Sequence, residues 1–241
     1  MGSGFDSLMA HSNQAEQSIL SGLVFSWHLP SRVPAAKLEV VSTEPFSPSA
    51  PIAAVTVFAG AREGVDETMT TAAYNFGTAL ARNGITLVYG GGRLGMMGAV
   101  AQGAIDGGGE TVGIMPKHLA QHEIAHTGLT ELVLVDSLAE RKRVMNERCG
   151  AFVALPGGAG TLDELFDEWT NQQLGLHTKP IGLLDAAFWH PLTAMIDHLV
   201  AAGFVRQADR DSLIVADCPD ALLQALADWE PQPPRWGQPT L

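Results

Sequence analysis

The chain predicts a doubly wound, mostly parallel α/β sheet in three layers, with helices on both faces. Three features predict it: apolar runs without polar alternation, helical periodicity between them, and glycine-rich turns where a run gives way to a helix. Strands buried on both faces of a parallel sheet read as continuous apolar runs, because neither face meets water. Such a sheet takes its ligands at the carboxyl ends of the strands.

Residues 1–50 mix Ser, Pro, Gln and His with scattered apolar residues as far as Pro48-Ser49-Ala50-Pro51. They read as a largely irregular extension with one short helix over 14–24, ahead of a domain at 51–229. The first strand, 52–58, opens onto Ala59-Gly60-Ala61-Arg62-Glu63-Gly64. Ala72, Phe76 and Leu80 mark one face of the next helix, and Asn83-Gly84 stops it before a second strand at 85–89. Gly90-Gly91-Gly92-Arg93-Leu94-Gly95 then leads into a helix over 96–105 and a third strand at 111–115. Strands at 131–135, 151–155, 180–184 and 212–216 follow, with helices between most of them. The tail at 230–241 carries Pro231, Pro233, Pro234 and Pro239 and is expected to be irregular.

At 241 residues and 46% hydrophobic, the chain can hold one sizeable core. Its formal net charge of −12 argues against a nucleic-acid or anionic-membrane partner, either of which is normally met by a basic face. A phosphate ligand must therefore find local cations. The apolar stretch at 19–27 follows no Lys or Arg, and no run reaches membrane-spanning length, so neither a secretory signal nor a membrane span is expected. Cys149 and Cys218 lack metal-ligand or redox spacing and read as two free thiols in a reducing cytoplasm.

The densest chemistry lies at 155–164, Leu-Pro-Gly-Gly-Ala-Gly-Thr-Leu-Asp-Glu. The apolar run before it is a buried strand, and Leu162, Leu165, Phe166 and Trp169 recur after it with helical spacing. Three glycines in the turn leave no side chains in the way, so successive backbone N–H groups converge in front of a helix start, where a phosphate fits. The plainer alternative is a capping box, Thr161-x-x-Glu164, in which Glu164 only satisfies end-of-helix donors. A cap alone needs one permissive residue before the helix, whereas Gly157, Gly158 and Gly160 strip three side chains from the turn.

Gly90-x-Gly92-x-x-Gly95 matches the dinucleotide fingerprint in its strand-to-helix context. The acidic ribose reader, however, should close the following strand, and Glu110 precedes it. Two glycine-rich turns in one small Rossmann-like domain fit a phosphorylated mononucleotide better, with no cofactor. His122-Glu123-Ile124-Ala125-His126 spells H-E-x-x-H, with His118 a turn earlier. Zinc chemistry there needs a stable helix and a further ligand, and this stretch is short, polar and set between Pro116 and Gly128, so no metal is expected. Glu140-Arg141-Lys142-Arg143 lies on the helix that leads into the strand before the glycine turn. Successive helical residues point about 100° apart, so one or two of these cations serve a single site, with Arg141 and Lys142 on the same general side.

Tyr89 to Gly92 with Gly95 and Gly98, Val112-Gly113-Ile114-Met115-Pro116, Glu140-Arg141-Lys142, the run from Pro156 to Glu164, and Gln173-Leu174-Gly175 together resemble the LOG (Lonely guy) family. Its members are cytokinin riboside 5′-monophosphate phosphoribohydrolases, often labelled lysine decarboxylases. The resemblance covers about residues 52–205. It implies Glu164 and Arg141 as the catalytic pair. It further implies Gly91, Gly92, Glu123, Lys142, Gly157, Gly158, Ala159, Gly160, Thr161 and Thr170 as substrate contacts, and a homodimer formed through helices beside the site. One departure stands out: Ala59-Gly60-Ala61-Arg62 replaces the family's Cys-Gly-Ser-type turn, removing a hydroxyl near the ligand.

The expected activity is hydrolysis of the N-glycosidic bond of an adenine-type nucleoside 5′-monophosphate, its base plain or N6-prenylated, to free base and ribose 5-phosphate. The alternatives are a non-catalytic nucleotide-binding module on the same fold and a general AMP nucleosidase.

Overall fold

A computed structural model describes residues 52–120 and 125–232. The expected extension at 1–50, its short helix, residue Glu123 and most of the tail lie outside the described residues. The strands are β1 (Ala54–Phe58), β2 (Thr86–Tyr89), β3 (Thr111–Pro116), β4 (Glu131–Val135), β5 (Ala151–Ala154), β6 (Ile181–Leu184) and β7 (Leu213–Ala216). The helices are α1 (Glu67–Arg82), α2 (Gly95–Asp106), α3 (Lys117–Ala120), α4 (Leu138–Glu147), α5 (Ala159–Gln173), α6 (Ala186–Ala201), α7 (Gln207–Asp211) and α8 (Pro219–Ala227). Each expected strand is present within two residues of its expected ends.

The seven strands form one sheet in the order β4-β3-β2-β1-β5-β6-β7, and every pairing is parallel. Both faces are covered. Val55, Val57, Leu87, Tyr89 and Val153 point to one side, against Phe76 and Leu80 of α1, Val100 of α2 and Leu222 of α8. Phe58, Val88, Ile114, Phe152 and Leu183 point to the other, against Met145 of α4, Leu165 and Trp169 of α5, and Trp189 and Ile196 of α6. Along β5, Ala151 and Val153 belong to the first core and Phe152 and Ala154 to the second, all fully buried. This period-two division between two dry faces is why the strands read as unbroken apolar runs.

Strand order reverses at β1, which pairs with β2 on one side and β5 on the other. The turns after these neighbouring strands diverge there and leave a crevice at the carboxyl edge. The turns after β2 and β5 share that edge, as one site requires.

Helices α1 and α2 pack closely enough that glycine is required between them. A Cβ on Gly77 would lie 2.0 Å from the Val100 carbonyl oxygen and 2.7 Å from the Ala104 nitrogen. Backbone cannot swing aside as a side chain can. Gly77→Ala is therefore expected to cost about 2–3 kcal/mol and to lower the melting temperature by roughly 5–10 °C, read by thermal denaturation.

Candidate functional site

Three turns meet at the crevice. The Gly60 N–H donates to the Pro156 carbonyl at 3.1 Å, tying the turn after β1 to the turn after β5, and the Met97 N–H donates to the Gly60 carbonyl at 3.2 Å. Between them lies a cavity of about 530 Å³. Its lining runs from Ala59 to Gly64, with Met69 of α1, Met96 and Met97 of α2, Leu119 of α3, Arg141 of α4, Phe188 of α6, and Pro156, Gly157, Gly158, Gly160, Thr161 and Glu164. The lining thus combines polar backbone and a carboxylate with thioether and aromatic side chains.

The glycine turn sits directly before α5, whose N-cap is Gly158 with no side-chain cap bond. The capping-box alternative is corrected accordingly: Thr161 lies inside the first turn of the helix, and Glu164 points elsewhere. The uncapped N–H groups and the positive end of the helix dipole are left for an anion. Thr161 does have a packing role, because a Cβ on Gly157 would come 2.1 Å from its Oγ1 and 2.9 Å from the Gly60 nitrogen. At Gly158 and Gly160 no protein atom lies within 4 Å of an added Cβ, so those positions face open space.

Glu164 is buried, and its Oε1 lies 3.3 Å from the Arg141 guanidinium, whose side chain is 16% exposed. Arg141 is placed by a well-capped helix: Ser137 Oγ accepts from the Glu140 N–H, and the Glu140 carboxylate accepts from the Asp136 N–H. That Ser-x-x-Glu signature was present in the sequence and marks the start of α4. Arg141 Nε is buried with no partner among the described residues, leaving one donor for a ligand. Burial pushes the Glu164 carboxyl above its ordinary value of 4.5, Arg141 opposes the shift, Asp163 adds to it and Lys142 opposes it. A desolvated carboxylate beside one buried cation is the electrostatic arrangement that stabilises developing positive charge.

Gly90, expected as the first glycine of the fingerprint and not as a site residue, makes room for Arg141. A Cβ there would come 2.2 Å from the Arg141 Nη2. Because the clash is with the tip of a flexible side chain, Gly90→Ala should leave the melting temperature nearly unchanged while displacing the guanidinium. Turnover is expected to fall by about tenfold to a hundredfold, as misplacement by an ångström does elsewhere. Steady-state kinetics beside thermal denaturation checks this.

Several expected contacts lie outside the cavity. Lys142 turns away from it to Asp163 at 3.3 Å and Asp167 at 3.2 Å, so the expectation that Arg141 and Lys142 serve one side is corrected by the rotation between successive helical residues. Thr170 and Ala159 are exposed on α5 away from the lining. Gly91 and Gly92 are buried, where the Gly91 carbonyl accepts from the His126 N–H and Gly92 bridges Ala125. His118 is exposed on the four-residue α3, and Ala125 is already in that bridge, so His118 and His126 do not share a helix. Conversely, Arg62, Met69, Met96, Met97, Leu119 and Phe188 line the cavity without having been expected. Phe188 carried no sequence signal; it is held by Asp185, the N-cap of α6, whose carboxylate accepts from the Phe188 N–H at φ 83°.

A family model described as possible lysine decarboxylase matches residues 97–226. The chain is 45% identical over 163 residues to a cytokinin riboside 5′-monophosphate phosphoribohydrolase of Rhodococcoides fascians, covering 67% of this chain and 82% of the relative. It is 39% identical over 179 residues to a probable cytokinin riboside 5′-monophosphate phosphoribohydrolase of Oryza sativa subsp. japonica, covering 74% and 73%. Among solved structures, a molybdenum cofactor binding protein of Rippkaea orientalis superposes with a TM-score of 0.55 at 24% identity over 71% of this chain and 93% of that one, a likeness of fold.

Proposed function

Because this chain belongs to the LOG family of cytokinin riboside 5′-monophosphate phosphoribohydrolases, and because a buried carboxylate and a glycine turn line one cavity, we propose that it hydrolyses the N-glycosidic bond of an adenine-type nucleoside 5′-monophosphate. The Glu164–Arg141 pair carries this reading. As the bond to the base breaks, C1′ and the ring oxygen gain positive charge. Glu164 holds the ribose hydroxyls and stabilises that cation, water adds at C1′, and the base leaves with a proton. The uncapped start of α5 and the glycine turn hold the phosphate, and Arg141 orients the nucleotide. Phosphate binding remote from the scissile bond supplies positioning.

Lysine decarboxylation finds no support in the site. Lys117 pairs with Asp136, Lys142 with Asp163 and Asp167, and Lys179 with Asn146; none of them lines the cavity.

The acid side of the pH profile follows from burial. Glu164 acts ionised and its carboxyl lies above 4.5, so turnover should fall on acidification at a higher pH than an ordinary glutamate would set. Stability runs the other way. A carboxyl with a raised folded-state pKa favours the fold most below its unfolded value, and that contribution is lost as pH rises toward the folded value. A pH–kcat/KM profile, which reports groups of the free enzyme, with its acid midpoint at or below the ordinary value of 4.5 would contradict the assignment.

The apolar wall of Met69, Met96, Met97, Leu119 and Phe188 favours an N6-alkylated base over plain adenine. Burying even part of a prenyl group at about 0.8 kcal/mol per methylene gives N6-isopentenyl-AMP an advantage of about tenfold or more in kcat/KM. Equal values would instead assign a general AMP nucleosidase. Assembly as a homodimer in the cytoplasm belongs to the same reading and rests on the family resemblance. On α2, Gly103 is already used against α1, where an added Cβ would come 2.0 Å from the Tyr74 carbonyl oxygen. Light scattering at twice the chain's mass checks it.

A further inference from the structure

The catalytic pair joins two helices, and a second polar cluster joins the same two helices one turn further in. Asn146 Nδ2 donates to Glu168 Oε2 at 2.6 Å, and His177 Nε2 lies 3.0 Å from the Glu168 backbone carbonyl oxygen and 3.2 Å from the same carboxylate oxygen. His177 Nδ1 accepts from the Lys179 N–H at 3.2 Å, which places the ring hydrogen on Nε2, toward Glu168. Lys179 Nζ in turn donates to Asn146 Oδ1 at 2.9 Å and lies over the Phe152 ring. The Glu168 side chain is 4% exposed and that of His177 6%. None of these four groups lines the cavity.

On α5, Glu168 lies four residues after Glu164, on the same face; on α4, Asn146 lies five residues after Arg141, about 140° round the helix, and reaches α5 through its bond to Glu168. Lys142, with Asp163 and Asp167, adds an outer contact between the same helices. A buried carboxylate costs desolvation and is retained only where its partners are fixed, so this cluster holds one separation of α4 from α5. Resting on the proposed role of Arg141 and Glu164, we infer that Glu168 and Asn146, backed by His177 and Lys179, are positioning residues that set the Arg141–Glu164 distance, and that Lys142 acts from outside in the same way rather than as a substrate contact. The phosphate cradle belongs to the start of α5 and does not depend on α4, so the cluster governs turnover rather than binding.

The test is a double-mutant cycle in the full chain with N6-isopentenyl-AMP. Glu168→Leu is expected to lower kcat by about tenfold, with KM within about threefold, as loss of a supporting shell does elsewhere. Glu168→Gln keeps an acceptor for Asn146 and should restore most of that loss. In an Arg141→Ala background, Glu168→Leu should cost nothing further, because it acts through Arg141. A purely structural role would lower activity equally in both backgrounds and overturn the inference. Lys142→Met, on a partly exposed side chain, provides the variant that folds if Glu168→Leu does not: a lower kcat at constant KM supports positioning, and a raised KM at constant kcat makes Lys142 a substrate contact after all. A readout independent of turnover is the Arg141 Nε–H resonance, expected to move in Glu168→Leu and to stay in Glu168→Gln; an unmoved resonance contradicts the inference. Wild-type protein that releases no base would defeat the proposed activity, while the resonance still decides the positioning.

Discussion

Glu164→Gln should lower turnover by on the order of a hundredfold to a thousandfold while ribose 5-phosphate and nucleotide binding largely survive. The substitution keeps shape and removes charge. Size is preserved in a buried place where α5 receives no capping bond from this side chain, so no helix end is undone. What disappears is the negative charge that the proposed mechanism sets against the anomeric carbon, which matters only once positive charge develops there. A group that acts only in the transition state lowers kcat and kcat/KM together, whereas loss of a ground-state contact raises KM alone. The glycine turn and the uncapped start of α5 are untouched, so binding has no reason to collapse. Near-normal kcat in Glu164→Gln would remove the carboxylate from the mechanism.

The second large effect is expected at the phosphate turn, where two neighbouring glycines should behave differently. In Gly157→Ala the new methyl meets Thr161 of α5 and the backbone of Gly60 at once, so the joint between the turns after β1 and β5 must open. A stability loss of about 1–3 kcal/mol should accompany a rise of about tenfold or more in the dissociation constant of ribose 5-phosphate. Gly158→Val introduces a larger side chain into space that holds no protein atom within 4 Å of its Cβ. The fold should tolerate it, and any weakening of binding then reports the ligand itself. Thermal denaturation and titration with ribose 5-phosphate separate the two. A Gly157→Ala protein as stable and as tight-binding as the wild type would place the anion elsewhere.

The strands were legible because a parallel sheet between two helical layers leaves no face for polar residues. Phe152 and Val153 point to opposite cores and are equally dry. The glycine turn was legible for a related reason, since stripping side chains from a strand-to-helix junction leaves a mark in composition. Neighbour relations were less so. Arg141 and Lys142 are adjacent in sequence, yet one helical step sends the first to Glu164 and the second to Asp163 and Asp167, a difference set by how α4 sits on α5. The capping box at Thr161 matched the pattern but lost to Gly158, because the N-cap falls three residues earlier. Gly90 and Gly92 drew attention as part of a fingerprint, yet Gly92 is buried in a bridge to Ala125 while Gly90 clears the space for Arg141. The apolar wall left no trace, since Met69, Leu119 and Phe188 come from three helices brought together only by the fold.

Product analysis of the wild-type protein with N6-isopentenyl-AMP tests the central claim most directly. Chromatographic quantification should show free base and ribose 5-phosphate appearing in equal amounts, at a rate that Glu164→Gln abolishes without preventing nucleotide binding. Nucleotide that binds and is recovered intact, or that loses its phosphate while keeping its glycosidic bond, would contradict the account.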